Sequence, residues 1–493
     1  MIDYSKQILY ILIQLNINIF YIITNKNNFQ YINQFKIINY IIILNRNKQS
    51  KQFNIYINQN MKKKDICVIG GGIIGSTITR ALSNKYPQLK ICLIEKENQI
   101  GQHTSTRNSS VLHSGLYYIK NSYKAQFCKQ GNEQLTKYII DNNLPLKNTG
   151  KFIIANNDEQ YQILLELKKQ ADLNQIEYQW LTFQEAVKIE KYLKDNKQGY
   201  NYLFTPTTKV SDSKSVILSF HNDLKQQKNV ELILNEEFDN LISQKDYTNL
   251  FSLKNSLTGS KQTIESKYII NTAGLYADKI AKQFGFCQKY TILPFKGHYL
   301  IHKQTHDDIN SLIYPIPPKK GNYFLGVHLT CTIDNKIKFG PSAFPALYRE
   351  QYGEKGKKIT QKEITEFLEI LQVYFWNMCS PKASFYLKHA KEELKKIYKP
   401  QTIKEALNLF TLFDQKEVNF LGFPKGVYQD FVDGRPGIRA QLINQETREL
   451  ENDFIIDKDQ LSMHLLNVVS PGWTCSLPIA DYVCDLIEKQ NIF

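Results

Sequence analysis

An apolar run, Ile66 to Ile69, passes directly into Gly70-Gly71-Gly72-Ile73-Ile74-Gly75, continues through a helix-length segment to about Asn84, and returns as a second apolar run, Ile91 to Ile94, closing on Glu95. This is the pattern of a complete βαβ unit, and it ties the chain to a parallel sheet covered by helices. The glycines have separate tasks. Gly70 turns the chain tightly, Gly72 lets the backbone approach a pyrophosphate, and Gly75 lets helix and strand pack closely. The helix start offers unpaired N–H groups and a partial positive charge to that pyrophosphate. Glu95, 20 residues beyond Gly75, stands where a carboxylate accepts hydrogen bonds from a ribose diol. A glycine-rich turn without a ligand needs none of this context, so the unit reads as a dinucleotide site.

A chain of 493 residues with 42% apolar content exceeds one ordinary core and predicts two or three lobes. Its eight cysteines are scattered singly, with no CxxC pair and no Cys/His spacing suited to a metal, so no metal site and no disulfide framework is expected. The net charge of +15 comes from lysines and arginines interleaved with acids from residue 61 onward. That is a solvated surface tolerant of anionic substrates, and no nucleic-acid groove.

Residues 1–60 differ in kind: Asn and Ile make up 28 of them and Asp3 is the only acid. The bias resembles AT-rich coding composition. Ile8 to Thr24 is apolar enough for a signal or anchor, although Gln14, Asn16 and Asn18 interrupt it. An acid-poor organelle presequence is a second reading, and translation from Met61, directly before the first strand, is a third.

After Glu95, Ile100-Gly-Gln-His-Thr-Ser-Thr-Arg-Asn-Ser-Ser-Val-Leu-His113-Ser-Gly115-Leu-Tyr-Tyr is poor helix or strand material. Its hydroxyl, amide and imidazole groups suit a loop wrapped around a cofactor that reaches well beyond its pyrophosphate. This block, together with Thr149-Gly-Lys-Phe-Ile-Ile-Ala155, Pro294-Phe-Lys-Gly-His-Tyr299, Leu325-Gly-Val-His328-Leu-Thr330, Phe339-Gly-Pro-Ser342 and Ser470-Pro-Gly472, resembles the FAD-dependent oxidoreductases of the D-amino-acid oxidase and glycerol-3-phosphate dehydrogenase superfamily, and within it the L-2-hydroxyglutarate dehydrogenases. The blocks run in order over about 430 residues. Trp473 departs from the family's smaller residue beside the flavin's edge. His298 is another departure, and so a poor match for the family's catalytic histidine.

The fold expected is α/β with an α+β second lobe: a doubly wound parallel FAD/NAD(P)-binding sheet, a mixed-sheet substrate domain and peripheral helices. Strands at Phe152 to Ala155, Tyr299 to His302 and Gly326 to Leu329 form the substrate roof, while Val230 to Leu234 and Ser266 to Gly274 return to the nucleotide sheet. Asn271-Thr-Ala-Gly274 resembles the turn that touches the ADP half again. Residues 355–412 read as two to four outer helices, with Ile364, Phe367, Leu368, Leu371 and Phe375 on one apolar face and Pro381 and Pro400 between helices; a partner-binding hairpin is the sharper reading. Strand, glycine turn and helix recur at Asn467 to Asp481, the helix starting near Thr474 and aiming its positive end at the flavin's N1/O2 edge. The domains then divide as FAD-binding 62–147, 205–284 and 425–493, and substrate 148–204 and 285–424, after the extension 1–60.

Oxidising a 2-hydroxy acid, the reaction the resemblance implies, moves hydride to the flavin while a base takes the hydroxyl proton. Histidine is the natural base near neutrality. His103, His221, His302, His306, His389 and His464 stand in polar surroundings where a solvated role is the default. His328 lies within an apolar strand, Phe324 to Leu329, and is the expected base, with a core histidine as the bland reading. His113 is the second catalytic candidate, near the ring or phosphate. Arg435 and Arg439, flanking Pro436-Gly-Ile, and Lys296 are expected to bind a dicarboxylate, since arginine offers a bidentate fork. Gly70, Gly72, Gly75, Glu95, Ser109, Gly274 and Gly472 are the expected FAD contacts. The resemblance also implies an electron acceptor such as quinone or an electron-transfer flavoprotein, a mitochondrial location and room for peripheral membrane association. Alternatives are another oxidoreductase of the superfamily acting on glycerol 3-phosphate or amino acids, an NAD-linked dehydrogenase, and a flavin-binding protein without turnover.

Overall fold

The βαβ unit forms as the glycine spacing requires. In the structure, a computed structural model that describes residues 62–316, 326–353, 359–378, 396, 398–413 and 427–493, strand β1 is Lys62–Ile69, helix α1 is Ile73–Lys85 and strand β2 is Ile91–Glu95. β1 and β2 run parallel with Ile66 opposite Ile91, and Val230–Leu234 continues the sheet in parallel beyond β2. On the other side stand Lys261–Asn271, Thr248–Asn255 and Glu236–Lys245, an antiparallel meander. Ser462–Leu466 pairs in parallel with Lys261–Asn271.

Every residue from Ile66 to Ile69 and from Ile91 to Ile94 is buried because the two faces of this sheet are covered differently. Ile66, Val68, Ile91 and Leu93 pack with residues of α1, Ser213–Gln226 and the C-terminal helix Ser476–Lys489, among them Ile78, Phe220 and Ile479. Cys67, Ile69, Cys92 and Ile94 pack against Phe238, Phe251 and Leu253 of the meander and Ile280 of the short helix Ala277–Gln283. The sheet is thus the expected nucleotide-binding one, with a β-meander taking much of the second face.

A second eight-stranded sheet runs in the order Phe431–Asp433, Leu300–Thr305, Lys336–Gly340, His328–Cys331, Leu312–Pro315, Lys151–Ile154, Tyr202–Thr205 and Gln179–Leu181. It is mixed: Lys151–Ile154 is parallel to Leu312–Pro315 and antiparallel to Tyr202–Thr205. A smaller sheet pairs Tyr290–Gly297 antiparallel with Gly437–Asn444, so strand pairing is continuous across residue 425.

The outer segment contains helices Gln361–Met378 and Lys399–Leu407, with Pro400 in the first turn of the latter, where its missing N–H costs nothing. The apolar face of Gln361–Met378 is largely turned outward. Leu368, Leu371 and Phe375 are exposed, whereas Glu363, Glu366 and Ile370 are buried. The Glu366 carboxylate accepts the Arg349 backbone N–H, a partner that hydrophobic periodicity cannot register. Pro381, His389, Met61 and the Ile8 to Thr24 stretch lie outside the described residues. Among the described residues, no helix is long and apolar enough to cross a membrane.

A Cβ on Gly75 would lie 2.0 Å from the Gly70 carbonyl oxygen, and one on Gly70, whose φ is +103°, 2.6 Å from that of Thr272. Gly75→Ala should therefore destabilise the protein by about 1–3 kcal/mol, the range for overpacking. Urea unfolding followed by circular dichroism checks this; an unchanged midpoint would show that helix and strand can separate freely.

Candidate active site

A cavity of about 1240 Å³ opens at the start of α1 and extends to the second sheet, larger than most single-ligand clefts. Gly70, Gly72 and Ile73 wall one part of it, and Glu95, Ser109, Gly274 and Gly472 also line it. Gly75 does not; its task is the close packing already described.

The polar loop is tied to the glycine turn. The Ser105 hydroxyl accepts the Ile73 N–H at 2.8 Å, capping the helix start, and a Cβ on Gly72 would come within 3.1 Å of that hydroxyl. Glu95 accepts the Gly71 N–H at 2.8 Å and the Glu97 N–H at 3.0 Å, so the carboxylate fixes the turn as well as facing the cavity. Burial pushes its pKa up, and the two N–H bonds oppose that. Beside it, Glu97, His103 and Glu350 place three potential metal-ligand atoms within 4.8 Å of one another. Lys96 already bridges the two carboxylates at 2.6 and 2.8 Å, and His103 pairs with Glu97 at 2.9 Å.

His113 and His328 both line the cavity. His328 begins the strand His328–Cys331 and is 4% exposed; Phe324 and Leu325 lie outside the described residues. Its ring stacks on Tyr314 with centroids 3.8 Å apart, and its Nδ1 lies 3.0 Å from the Gly326 carbonyl oxygen. A carbonyl only accepts, so this contact places the neutral ring's proton on Nδ1 and leaves the Nε2 lone pair open. Burial pulls the His328 pKa down to about 3; the Gly326 bond opposes this, and Lys151, Lys338 and Lys396 add to it. His113 falls to about 3 through burial, then Lys151, then His328, and its Nδ1 is buried without a partner.

The expected anion-binding trio is not assembled as one clamp. Arg439 lines the cavity, with its Nε donating to Gln441 Oε1 at 2.9 Å; burial lowers its pKa to about 10, opposed by Tyr118. Arg435 is exposed in the turn before Gly437–Asn444 and is not in the cavity wall. Lys296 is buried with its ammonium beside Gly353, also off the wall. The Gly-Arg-Pro-Gly-Ile-Arg spacing placed both arginines together in sequence, but the turn ends between them.

Three histidines expected to be solvated are buried: His221, His302 and His464. His464 lies between Phe284 and Phe286 and contacts Asn271 Nδ2 and Ser462 Oγ, each at 3.1 Å. His302 meets His306 at 2.9 Å beside Phe413 and Phe431. His221 follows Val216, Ile217 and Phe220 on the buried face of Ser213–Gln226, a helical spacing visible in the sequence. Residues missed are Tyr117, Tyr314 and Lys124 in the wall and Lys151 behind it. Two belonged to quoted motifs, but nothing in the motifs separates a wall residue from a strand residue.

The cavity fits a flavin dinucleotide. It has a glycine turn at a helix N-terminus, a carboxylate at the end of β2, and buried polar atoms without partners on wall residues, His113 Nδ1, Tyr117 OH and Trp473 Nε1. Residues 65–386 match the family model described as FAD dependent oxidoreductase. The chain belongs to this family of FAD-dependent oxidoreductases, and FAD is its cofactor. Within the family it is similar to L-2-hydroxyglutarate dehydrogenase of Indibacter alkaliphilus, with 31% identity across 86% of this chain and 99% of that protein. The enzymes of that name from Escherichia coli and, labelled mitochondrial, from Nematostella vectensis are each 28% identical over 86% of this chain, covering 93% and 91% of their own. The fold resembles that of L-alpha-glycerophosphate oxidase from Mycoplasma pneumoniae, solved with FAD bound, at a TM-score of 0.60 and 23% identity over 87% of this chain and 95% of that one.

Purified protein should accordingly be yellow. Gly72→Val would push a branched side chain into Ser105 and the mouth of the helix start, and should give colourless protein of native secondary structure, read by absorbance near the flavin bands. Full flavin content in that variant would place the pyrophosphate elsewhere.

Proposed function

We propose that this oxidoreductase converts L-2-hydroxyglutarate to 2-oxoglutarate, with His328 as the base. The observation carrying the reading is the His328 ring itself, fixed by Tyr314 on its face and by Gly326 at Nδ1, with its neutral form favoured by burial. Bound FAD would supply the hydride acceptor. His328 Nε2 takes the hydroxyl proton, and Arg439, oriented by Gln441, holds a substrate carboxylate. His113, whose buried Nδ1 has no protein partner, offers a second polar contact. The similarity to enzymes named for this substrate in bacteria and, with a mitochondrial label, in eukaryotes supports the substrate. Electrons then pass to a quinone or an electron-transfer protein, and a mitochondrial location follows the eukaryotic relatives.

His328→Asn should keep the fold and the flavin spectrum while anaerobic flavin reduction by L-2-hydroxyglutarate slows about 10²- to 10⁴-fold, the contribution of a positioned base. The pH dependence has a fixed sign. The base acts unprotonated and its pKa is lowered, so in the parent the rate is lost only as pH falls through a value below 6.5, the usual one for histidine. Reduction by glycerol 3-phosphate or amino acids in place of the hydroxy acid would move the enzyme to another branch of the family.

Arg439→Lys retains charge and loses the planar fork, so dicarboxylate binding should weaken by about 1–3 kcal/mol. Arg435→Lys, outside the wall, should leave KM unaltered. Equal effects of the two substitutions in steady-state kinetics would mean that the turn closes over the substrate.

A further inference from the structure

Lys151 opens the strand Lys151–Ile154, in the second sheet, and its side chain is fully buried. Its ammonium has no hydrogen-bond partner. What surrounds it is aromatic: Nζ lies 4.6 Å from the centre of the Tyr117 ring and 5.3 Å from that of Tyr314. Aromatic ring faces attract a cation, and an ammonium without an acceptor is otherwise costly to bury. Both tyrosines line the cavity, and Tyr314 is the ring on which His328 stacks.

We infer that Lys151 is a positioning residue for the base: its caged ammonium, set against the Tyr314–His328 stack, holds the His328 imidazole in its proton-accepting form during oxidation. The inference rests on the reading of His328 as the base. Lysines are the charges acting most strongly on His328: Lys151 from its own strand, Lys338 from Lys336–Gly340 and Lys396 from the segment before Lys399–Leu407. His113 faces the same lysine from the loop after Val111–Leu112, and Tyr314 and Tyr117 complete the surroundings. Lys338 is already engaged, donating to the Asn108 carbonyl at 3.1 Å above the Tyr299 ring. Lys396 is half-buried. Lys151 acts on both histidines, and its ammonium has no acceptor to dissipate its field. Burial lowers its own pKa to about 8, so the ammonium stays charged over the acid range in which a histidine base would be lost.

The test compares Lys151→Met, which keeps length and removes charge, with Lys151→Arg. Rapid anaerobic mixing with L-2-hydroxyglutarate gives the flavin-reduction rate across pH. In Lys151→Met the acid limb should move up by about one pH unit, a roughly tenfold slower rate at a fixed pH on the limb, with the alkaline plateau kept; in Lys151→Arg the limb should stay. Histidine-selective NMR supplies a readout without turnover, because the His328 signal, assigned by its loss in His328→Asn, should titrate at higher pH in Lys151→Met. Should Lys151→Met not retain flavin, Lys151→Gln carries the same test. A rate lowered equally at every pH, a raised KM with the limb unmoved, or loss of flavin by the Met, Gln and Arg variants alike would overturn the inference and leave Lys151 as packing or as an anchor. Unaltered reduction in His328→Asn would instead remove the base assignment itself.

Discussion

The architecture depends on one close approach, that of α1 to the end of β1. With hydrogen in place of a side chain at Gly75, the helix rests against the Gly70 carbonyl, and Thr272 Oγ1 donates to the Ile69 and Gly70 carbonyls from the neighbouring strand. That contact sets where the first helical N–H groups point. Ser105 and Glu95 then hold the turn from two sides. A helix displaced by a methyl group would strain the Ser105 bond to Ile73 and the Thr272 bond to Gly70, since both end on backbone atoms at this approach.

Around the far part of the cavity the dominant theme is positive charge deprived of water. Lys151, Lys338 and Arg439 are each lowered by burial, to about 8, about 8 and about 10. Lys124 in the wall falls to about 7 from burial and from Arg439, with Asp453 opposing. A protein does not bury cations in this way for stability. Arg439 and Lys124, which line the cavity, suit an anionic cofactor, whereas Lys151 lies behind the wall and keeps its charge.

Much of this was legible in the sequence, and the limits have physical causes. Glycine spacing and apolar runs located β1, α1 and β2 because a tight turn and a buried parallel strand each demand few residue types. His328 could be singled out since an imidazole in an apolar strand is costly. Its partner Tyr314 could not, because stacking joins residues from different strands and leaves no periodic trace. Nor could the sequence tell that Glu366 is buried beside the exposed Leu368, Leu371 and Phe375, because its partner, the Arg349 N–H, lies elsewhere in the chain and helical periodicity records only hydrophobicity. Arg435 and Arg439 looked alike because a turn ending between two residues alters their surroundings without altering their chemistry.

The Thr77 hydroxyl on α1 donates to the Ser476 carbonyl at 3.0 Å, across 399 positions of chain. Ile479 and Val483 of the C-terminal helix cover the same sheet face as α1, and Ser470 to Trp473 wall the cavity. During synthesis the sheet face that α1 covers in part therefore stays open to water until Ser476–Lys489 has been made. A chain cut short before Ser470 would lack both the Ser470–Trp473 part of the cavity wall and the helix that completes the cover of that sheet face, and is expected to hold FAD poorly.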